Sequence, residues 1–531
     1  MESKYVKLFL LLIILAICFI TIFYKLGYLT FHVWDEARNV NNAIEMSESK
    51  NFLVPTYLGE EDTWNTKPPL LIIIQSIFIN LFGLSELSVR LPSAIAVTLT
   101  VVFVFLFISK FTKSNFIAFF SSFILLTTPG MVAHHGVRTG DYEATLLLLC
   151  VLYSLFYLCY IETKKSKYLY LFSIAFTLAF MTKSSAALLF IPALFIYSIY
   201  RRRLVSILTS KHFYISLAIP LIVVGCYYAY REVLHPGFLK IIFENEFGGR
   251  YLSTLEGHKQ GTLYYFDLLK DSRLKYWFFM AIPGLIFTFF EKNYRIKRLF
   301  IFLSLLSITH LVIISLSSTK LSWYVLPEFP FWSIMAAISL YQTIYWISRL
   351  LKIKIVNTII ATILTAAVLY LPITDTIDRI KHYEKEKPNC NAKMFLRDEI
   401  TKFIDKDSKV AVLTTFKTQH LYPYLHILKR QGYNVEIGHI NKIYSYEIVL
   451  LDESERKKTL VNSVNTMFVT ETITEFQKAI VLSRIVKERS YEEAVDYALQ
   501  QLGDSSEDTE SNKIKAESMV TDAMSVLGYK K

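Results

Sequence analysis

Cysteine is scarce in this chain, with five in 531 residues, four of them inside apolar runs. That number and placement exclude a disulfide framework and a Cys-rich zinc site. Charge is scarce too, at 19% of residues, whereas a soluble chain of this length divides into several domains that each need a charged surface. What is abundant is apolar: 53% hydrophobic residues, 40 Phe, 34 Tyr and a mean hydropathy of +0.37. Long apolar runs recur at short intervals through the first ~370 residues, which excludes a soluble enzyme and defines a polytopic α-helical membrane protein. The net charge of +12 would suit nucleic acid, but the placement of the charges excludes that reading.

The first apolar run, Val6 to Tyr24, follows Lys4 and Lys7 and lacks a small-residue cleavage site, so it reads as an uncleaved span. Further runs are Leu91–Phe111, Phe116–Val132, Ala144–Ile161, Tyr168–Met181, Ser185–Tyr200, Phe213–Tyr230, Trp277–Phe290, Leu299–Leu316, Tyr324–Ile347 and Ile355–Leu371. The expected total is about eleven transmembrane helices. Pro68–Phe82 is shorter and opens on two prolines. Basic clusters stand at Lys110/Lys113, Lys164/Lys165/Lys167, Arg201–Arg203, Lys292/Arg295/Lys297/Arg298 and Arg349/Lys352/Lys354. All five fall on the cytoplasmic side, with the N-terminus inside, only if Pro68–Phe82 is a juxtamembrane helix that does not cross.

That parity places Lys25–Arg90, the turn His134–Glu143, the loop Arg231–Lys275, the turn Ser317–Trp323 and the C-terminus on the outer face. Residues 1–373 are the expected membrane domain, with outer segments at 25–90 and 231–275. Residues 374–531 are the expected soluble α/β domain, because composition turns charged and polar near Asp375 while KVAVLT (Lys409–Thr414) and EIVLL (Glu447–Leu451) read as strands. The polar stretch Gly503–Ser511 reads as a flexible linker. The lone Cys390 agrees with an outward domain that carries no disulfide.

Polar chemistry gathers on that face. Asp35 and Glu36, beside Arg38, follow the first span, where acidic residues are costly unless used or solvated; the first turn of a helix would suit them equally. Lys67 precedes Pro68-Pro69 and is therefore held extended, which presents one ammonium to a membrane-surface phosphate, although a snorkelling lysine has the same pattern. Arg138 and Asp141 lie in a turn at a span boundary, where they could simply pair. The outer loop carries Glu244, Glu246, Arg250, His258, Tyr264 and Tyr265, and exceeds the length a connection requires. Lys320, Trp323 and Tyr324 add a cation and two amphipathic rings, such as also form interfacial belts.

Together, Asp-Glu-Ala-Arg-Asn at 35–39, Lys-Pro-Pro-Leu at 67–70 and Arg-Leu-Pro-Ser-Ala at 90–94 resemble the polyprenyl-phosphate-dependent GT-C glycosyltransferases. The aminoarabinose lipid A transferases and the protein mannosyltransferase-like enzymes are the nearest in pattern. Asp141, Lys183, the Glu244–Tyr265 loop and Lys320 to Pro327 follow in the order the resemblance expects, which covers roughly residues 5–350. It implies a GT-C-like fold and inverting transfer from an undecaprenyl-phosphate sugar on the periplasmic face of a bacterial inner membrane. The acceptor would be lipid A, another lipid or glycan, or a protein. Asp35 would be the general base or acceptor-orienting group, with Glu36 beside it. Arg38, Lys67, Arg250 and Lys320 would stand near the lipid phosphate, and Arg138, Asp141, His258, Tyr265 and Tyr324 would complete the substrate contacts.

The chain departs from the aminoarabinose transferases at Thr66, where they carry an acidic residue, and at Asn39, where the motif has an aromatic. No cofactor is assigned and a divalent cation stays open, but Thr66 removes the carboxylate that would hold a metal there. The competing reading is a lipid or glycan transporter or flippase. It is opposed by the scarcity of charges at the centres of the spans and by the absence of visible internal repeats.

Overall fold

The computed structural model describes residues 4–132, 135–252, 257–350, 370–382, 391–414, 418–452, 459–477, 479–502 and 509–529. The chain divides into two units. One is Met1–Tyr28 with Asn42–Glu384; the other is Leu29–Asn41 with Lys385–Lys531. The first therefore runs past the expected boundary at 373, and a short N-terminal segment groups with the C-terminal unit.

The first unit is helical wherever the sequence showed an apolar run that lies among the described residues. Six described helices are long and apolar enough to cross a membrane: Lys4–Phe23, Glu86–Thr112, Tyr142–Thr163, Ser166–Leu188, Lys211–Leu234 and Tyr294–Leu316. Leu70–Phe82, Asn115–Leu126, Ile191–Tyr200 and Tyr276–Phe290 are apolar but shorter, and Phe329–Leu350 is a further helix of 22 residues. The difference from eleven spans has local causes. The run Phe116–Val132 breaks at Thr127 into a 3₁₀ turn, Pro129–Val132, and the run from Ser185 opens on the 3₁₀ turn Ser184–Leu188 before Ile191–Tyr200. Most of the run Ile355–Leu371 lies outside the described residues.

Capping explains several boundaries. Ser85 and Ser88 form a reciprocal capping box at the start of Glu86–Thr112, satisfying amides that the first turn leaves open. Lys113 and Lys164 end their helices in the left-handed conformation. The helices pack through buried side chains such as Phe105, Phe123, Leu147, Leu303 and Ala337. Two buried tyrosine hydroxyls are paired: Tyr153 donates to the Ala187 carbonyl at 3.0 Å and Tyr157 shares a 2.6 Å bond with Ser198. Leu221, Ile222, Val233 and Phe289 stay exposed on helix surfaces, as lipid-facing side chains do. At the C-terminal end of Tyr142–Thr163, Glu162 accepts from Tyr197 at 3.1 Å and pairs with Arg201 at 3.0 Å and Arg298 at 2.7 Å, fastening three elements.

A short hairpin, β1 (Thr56–Tyr57) and β2 (Glu60–Glu61), precedes Lys67. The C-terminal unit holds a five-stranded sheet of β3 (Val410–Thr414), β4 (Val435–Ile437), β5 (Ile448–Asp452), β6 (Phe468–Phe476) and β7 (Ile480–Glu488) in the order β4-β3-β5-β7-β6. The β3 pairings with β4 and β5 are parallel and the rest are antiparallel. Both expected strands are present, within one residue of their expected limits. Beyond the polar stretch the chain is helical among the described residues. Residues 509–511 open the helix Thr509–Val526, whose Ala516, Val520 and Ala523, with Leu527, are buried against Leu460, Val464 and Ala498. Residues 503–508 and Cys390 lie outside the described residues.

Candidate functional site

Polar side chains converge at one end of the helical unit, opposite Glu162. The approach to Lys67 is built by Asp62, whose Oδ1 accepts from the backbone N–H groups of Trp64 and Asn65, each at 3.0 Å. This is the Asx-type turn that an aspartate stabilises without regular structure. Asn42 Nδ2 donates to Asp62 Oδ2 at 3.0 Å and to the Thr56 carbonyl at 2.7 Å. Asn65 Nδ2 donates to Asn42 Oδ1 and to the Tyr142 hydroxyl, both at 3.0 Å. Pro68 and Pro69 then hold the chain out of the helix until Leu70, leaving the Lys67 ammonium 5.4 Å above the Tyr142 ring.

Tyr142 opens the helix that fastens Glu162 at its other end. Asp141 precedes it in extended conformation and Glu143 lies in the first turn, so both carboxylates meet the positive end of a helix dipole. Glu143 Oε1 is paired with Lys183 Nζ. Its Oε2 is 3.9 Å from His135 Nδ1, which is 3.1 Å from Asp141 Oδ2. The His135 ring stacks on Trp323 at 3.8 Å, and Lys183 Nζ lies 5.7 Å over the Tyr324 ring. Two residues here adopt left-handed backbone, His135 at φ 62° and Ser184 at φ 36°; non-glycine residues hold such conformations when their surroundings over-determine them. Gly140 is required sterically, since a Cβ there would lie 2.8 Å from Val89 Cγ1 and 2.9 Å from Gln75 Nε2.

The loop 231–275 reaches this cluster through Glu246. Its Oε1 accepts from Thr66 Oγ1 at 3.2 Å and its Oε2 from Ser185 Oγ at 3.3 Å. One carboxylate thus ties the neighbour of Lys67 to the segment following Lys183. The result is two ammonium groups, two tyrosine rings and three partnered carboxylates in one region. Such an arrangement suits a substrate with an anionic phosphate and a hydroxyl-rich ring.

The other sequence candidates have distinct places. Arg138 is buried and donates to the carbonyls of Tyr24 and Lys25, at 2.9 and 3.2 Å, which closes the end of the first span. Tyr265 is fully buried, and its hydroxyl donates to the Leu321 carbonyl at 3.2 Å and accepts from the Leu321 N–H at 3.1 Å. Burial pushes its phenol well above the ordinary range, so it stays protonated and braces the turn bearing Tyr324. Lys320 is buried and its Nζ donates to the Ser317 carbonyl at 2.6 Å. His258 is exposed, and its carbonyl accepts from the Lys320 N–H at 3.0 Å. Arg250 lies in the short helix Phe243–Leu252, its side chain outside the described residues.

Asp35, Glu36 and Arg38 belong to the other unit, in the first turns of the helix Asp35–Ser49. Glu36 is buried and accepts from the His32 N–H at 2.8 Å, which ties the helix start to the segment before it; Asp35 and Arg38 are half-buried. Glu143, His135 and Tyr142 carry no site role in the sequence reading, and Lys183 enters it only through the resemblance. Among the described residues, no three His, Cys, Asp or Glu side chains are placed to hold a metal ion; His135, Asp141 and Glu143 face one another and Lys183 instead.

The family model described as dolichyl-phosphate-mannose-protein mannosyltransferase matches residues 66–228. An uncharacterised protein of Aquifex aeolicus is 25% identical over 62% of this chain and 63% of its own length. An undecaprenyl phosphate-alpha-4-amino-4-deoxy-L-arabinose arabinosyl transferase of Pseudomonas savastanoi is 24% identical over 59% of this chain and 58% of its own. The chain thus spans less than two thirds of each of these relatives. The crystal structure of ArnT from Cupriavidus metallidurans bound to undecaprenyl phosphate superposes with a TM-score of 0.67 at 15% identity, covering 91% of this chain and 98% of that one.

Proposed function

We propose that the chain, a multi-pass membrane protein with the GT-C fold, transfers a sugar from a polyprenyl-phosphate donor by an inverting displacement. One observation carries the reading: within that fold, Lys67, Tyr142, Glu143, Lys183 and Tyr324 converge at one end of the bundle. The relatives bearing this fold act on, or bind, lipid phosphates by name. The acceptor oxygen attacks the anomeric carbon as the bond to the lipid phosphate breaks. The phosphate departs with the electron pair and the acceptor's proton passes to a carboxylate. Fixed ammonium groups lower the barrier by stabilising the leaving phosphate.

Asp35 is the carboxylate assigned to that proton, on its place in the motif after the first span. The cluster lies at the end of Tyr142–Thr163 opposite Lys164 and Lys165. The positive-inside rule puts those lysines in the cytoplasm, which supports a periplasmic site in a bacterial inner membrane. The acceptor class comprises lipid A, other lipids or glycans, and proteins. The test is transfer from synthetic polyprenyl-phosphate sugars by the full chain in liposomes. Lys67→Met is expected to lower donor use by about 10²-fold or more with insertion unchanged; normal turnover by that variant would sink the phosphate-binding role.

A further inference from the structure

Residues 385–531 carry no group assigned to the chemistry proposed above, yet they hold the segment that carries Asp35. Residues 29–41 group with it, and the contacts are specific. The Tyr424 hydroxyl accepts from the Phe31 N–H at 2.8 Å, and Lys393 Nζ donates to the Phe31 carbonyl at 2.7 Å. The Phe31 and Tyr424 rings pack with centroids 5.6 Å apart. At the other end of the segment, Asn41 Nδ2 donates to the Gln419 carbonyl at 2.9 Å. Phe31 is fully buried and Lys393 is 1% exposed. A buried ammonium aimed at one carbonyl is an expensive device to keep for a connecting loop. His420 is buried too; burial, with the Lys393 charge, lowers it to about 3. It is therefore neutral near pH 7 and adds no second charge beside the ammonium.

Between these anchors the backbone is strained. Trp34 stands at φ 78°, a conformation that large side chains rarely adopt, immediately before Asp35. A left-handed tryptophan between two pinned points fixes the direction in which the helix Asp35–Ser49 starts, and with it the orientation of the Asp35 carboxylate.

We propose that the C-terminal unit is a positioning device for the candidate base: Lys393 and Tyr424 clamp Phe31 and so set the geometry of Asp35. This rests on the glycosyltransferase reading. Lys393 and Tyr424 are positioning residues, and neither is asked to touch substrate.

The experiment uses the full chain in liposomes or nanodiscs and two readouts. Tyr424→Phe keeps the ring on Phe31 and removes only the acceptor of its N–H; Lys393→Met removes the donor to its carbonyl. Each is expected to raise amide hydrogen exchange across residues 29–41 at least about tenfold, with β3 protection intact as the sign of a folded unit. In the transfer assay kcat should fall about 10- to 100-fold, the range for a misplaced catalytic group, while KM for the lipid donor stays within about twofold. Tyr529→Phe, which removes a hydroxyl bonded to Glu488 in the same unit, should leave both readouts unchanged. Faster exchange with unchanged kcat would overturn the positioning role, and so would unchanged exchange. A wild type that transfers nothing from any polyprenyl-phosphate sugar would overturn the glycosyltransferase reading itself, and this role with it.

Discussion

Replacing Lys183 with methionine removes the cation from Glu143 while keeping most of the side chain's length. Removing one partner of a buried ion pair costs about 3–5 kcal/mol, because the remaining charge is left uncompensated. Two features reduce that figure. The Lys183 side chain keeps 14% of its exposure against 5% for Glu143, and His135 Nδ1 at 3.9 Å offers the carboxylate a second partner. The Tyr324 ring also loses its cation, a term of about 0.5–1 kcal/mol. A net loss of about 2–3 kcal/mol is expected for Lys183→Met, and less for Glu143→Gln, whose amide still accepts a hydrogen bond. The assay is a double-mutant cycle read by unfolding of the purified chain in mixed micelles, with a coupling of about 2 kcal/mol as the expected result. Additive single effects, with coupling under about 0.5 kcal/mol, would show that the pair contributes nothing specific and would remove the central strut from the cluster.

Asp35→Asn should lower transfer about 10²–10⁴-fold, the usual contribution of a general base. Glu36→Gln should lower it far less and reduce stability instead, because the buried Glu36 holds the His32 N–H ahead of its helix; a dead Glu36→Gln beside an active Asp35→Asn would reverse the assignment. Reporter fusions after Arg203 and Arg298 should read cytoplasm and fusions after Asp375 periplasm, and a cytoplasmic tail would mean that Leu70–Phe82 crosses the membrane. Burial alone would raise the Asp375 carboxyl, but Arg379 at 3.0 Å and Lys275 at 3.3 Å outweigh it and hold it below its ordinary value. With the folded value depressed, the contribution of Asp375 to stability is full above the ordinary carboxylate range and is lost as pH falls through the lowered one. Unfolding midpoints measured from about pH 6 to pH 3 should therefore drop more steeply for the wild type than for Asp375→Asn; parallel slopes would refute the pairing.

The helices were legible in the sequence because apolar runs report burial in lipid or core directly. Their breaks were not, since Thr127 and the 3₁₀ turn at Ser184–Leu188 depend on local hydrogen bonding that composition hides. Lys67 stood out through Pro68 and Pro69, a strictly local signal. Tyr142 and Glu143 did not, because their partners Asn65 and Lys183 lie 77 and 40 residues away. Arg138 shows the same limit. Asp141 was its obvious sequence neighbour, yet its guanidinium reaches carbonyls more than a hundred residues upstream. The helix Thr509–Val526 was hidden because its polar residues outweigh the four small or apolar ones, Ala516, Val520, Ala523 and Leu527, that recur three or four positions apart and pack inward.

Glu162 has a consequence for the order of events in biogenesis. It gathers Arg201 and Arg298 in the finished bundle, and these two arginines belong to the basic clusters on which the proposed orientation rests. Orientation is decided as segments enter the bilayer, when acidic residues count for little and Arg298, 136 residues downstream of Glu162, has yet to be inserted. On the proposed orientation each guanidinium acts twice, first as an uncompensated charge that retains its loop on one side, later as a staple whose charge is shared. Glu162→Gln would leave insertion untouched and loosen only the assembled bundle, separating the two uses of the same arginines in time.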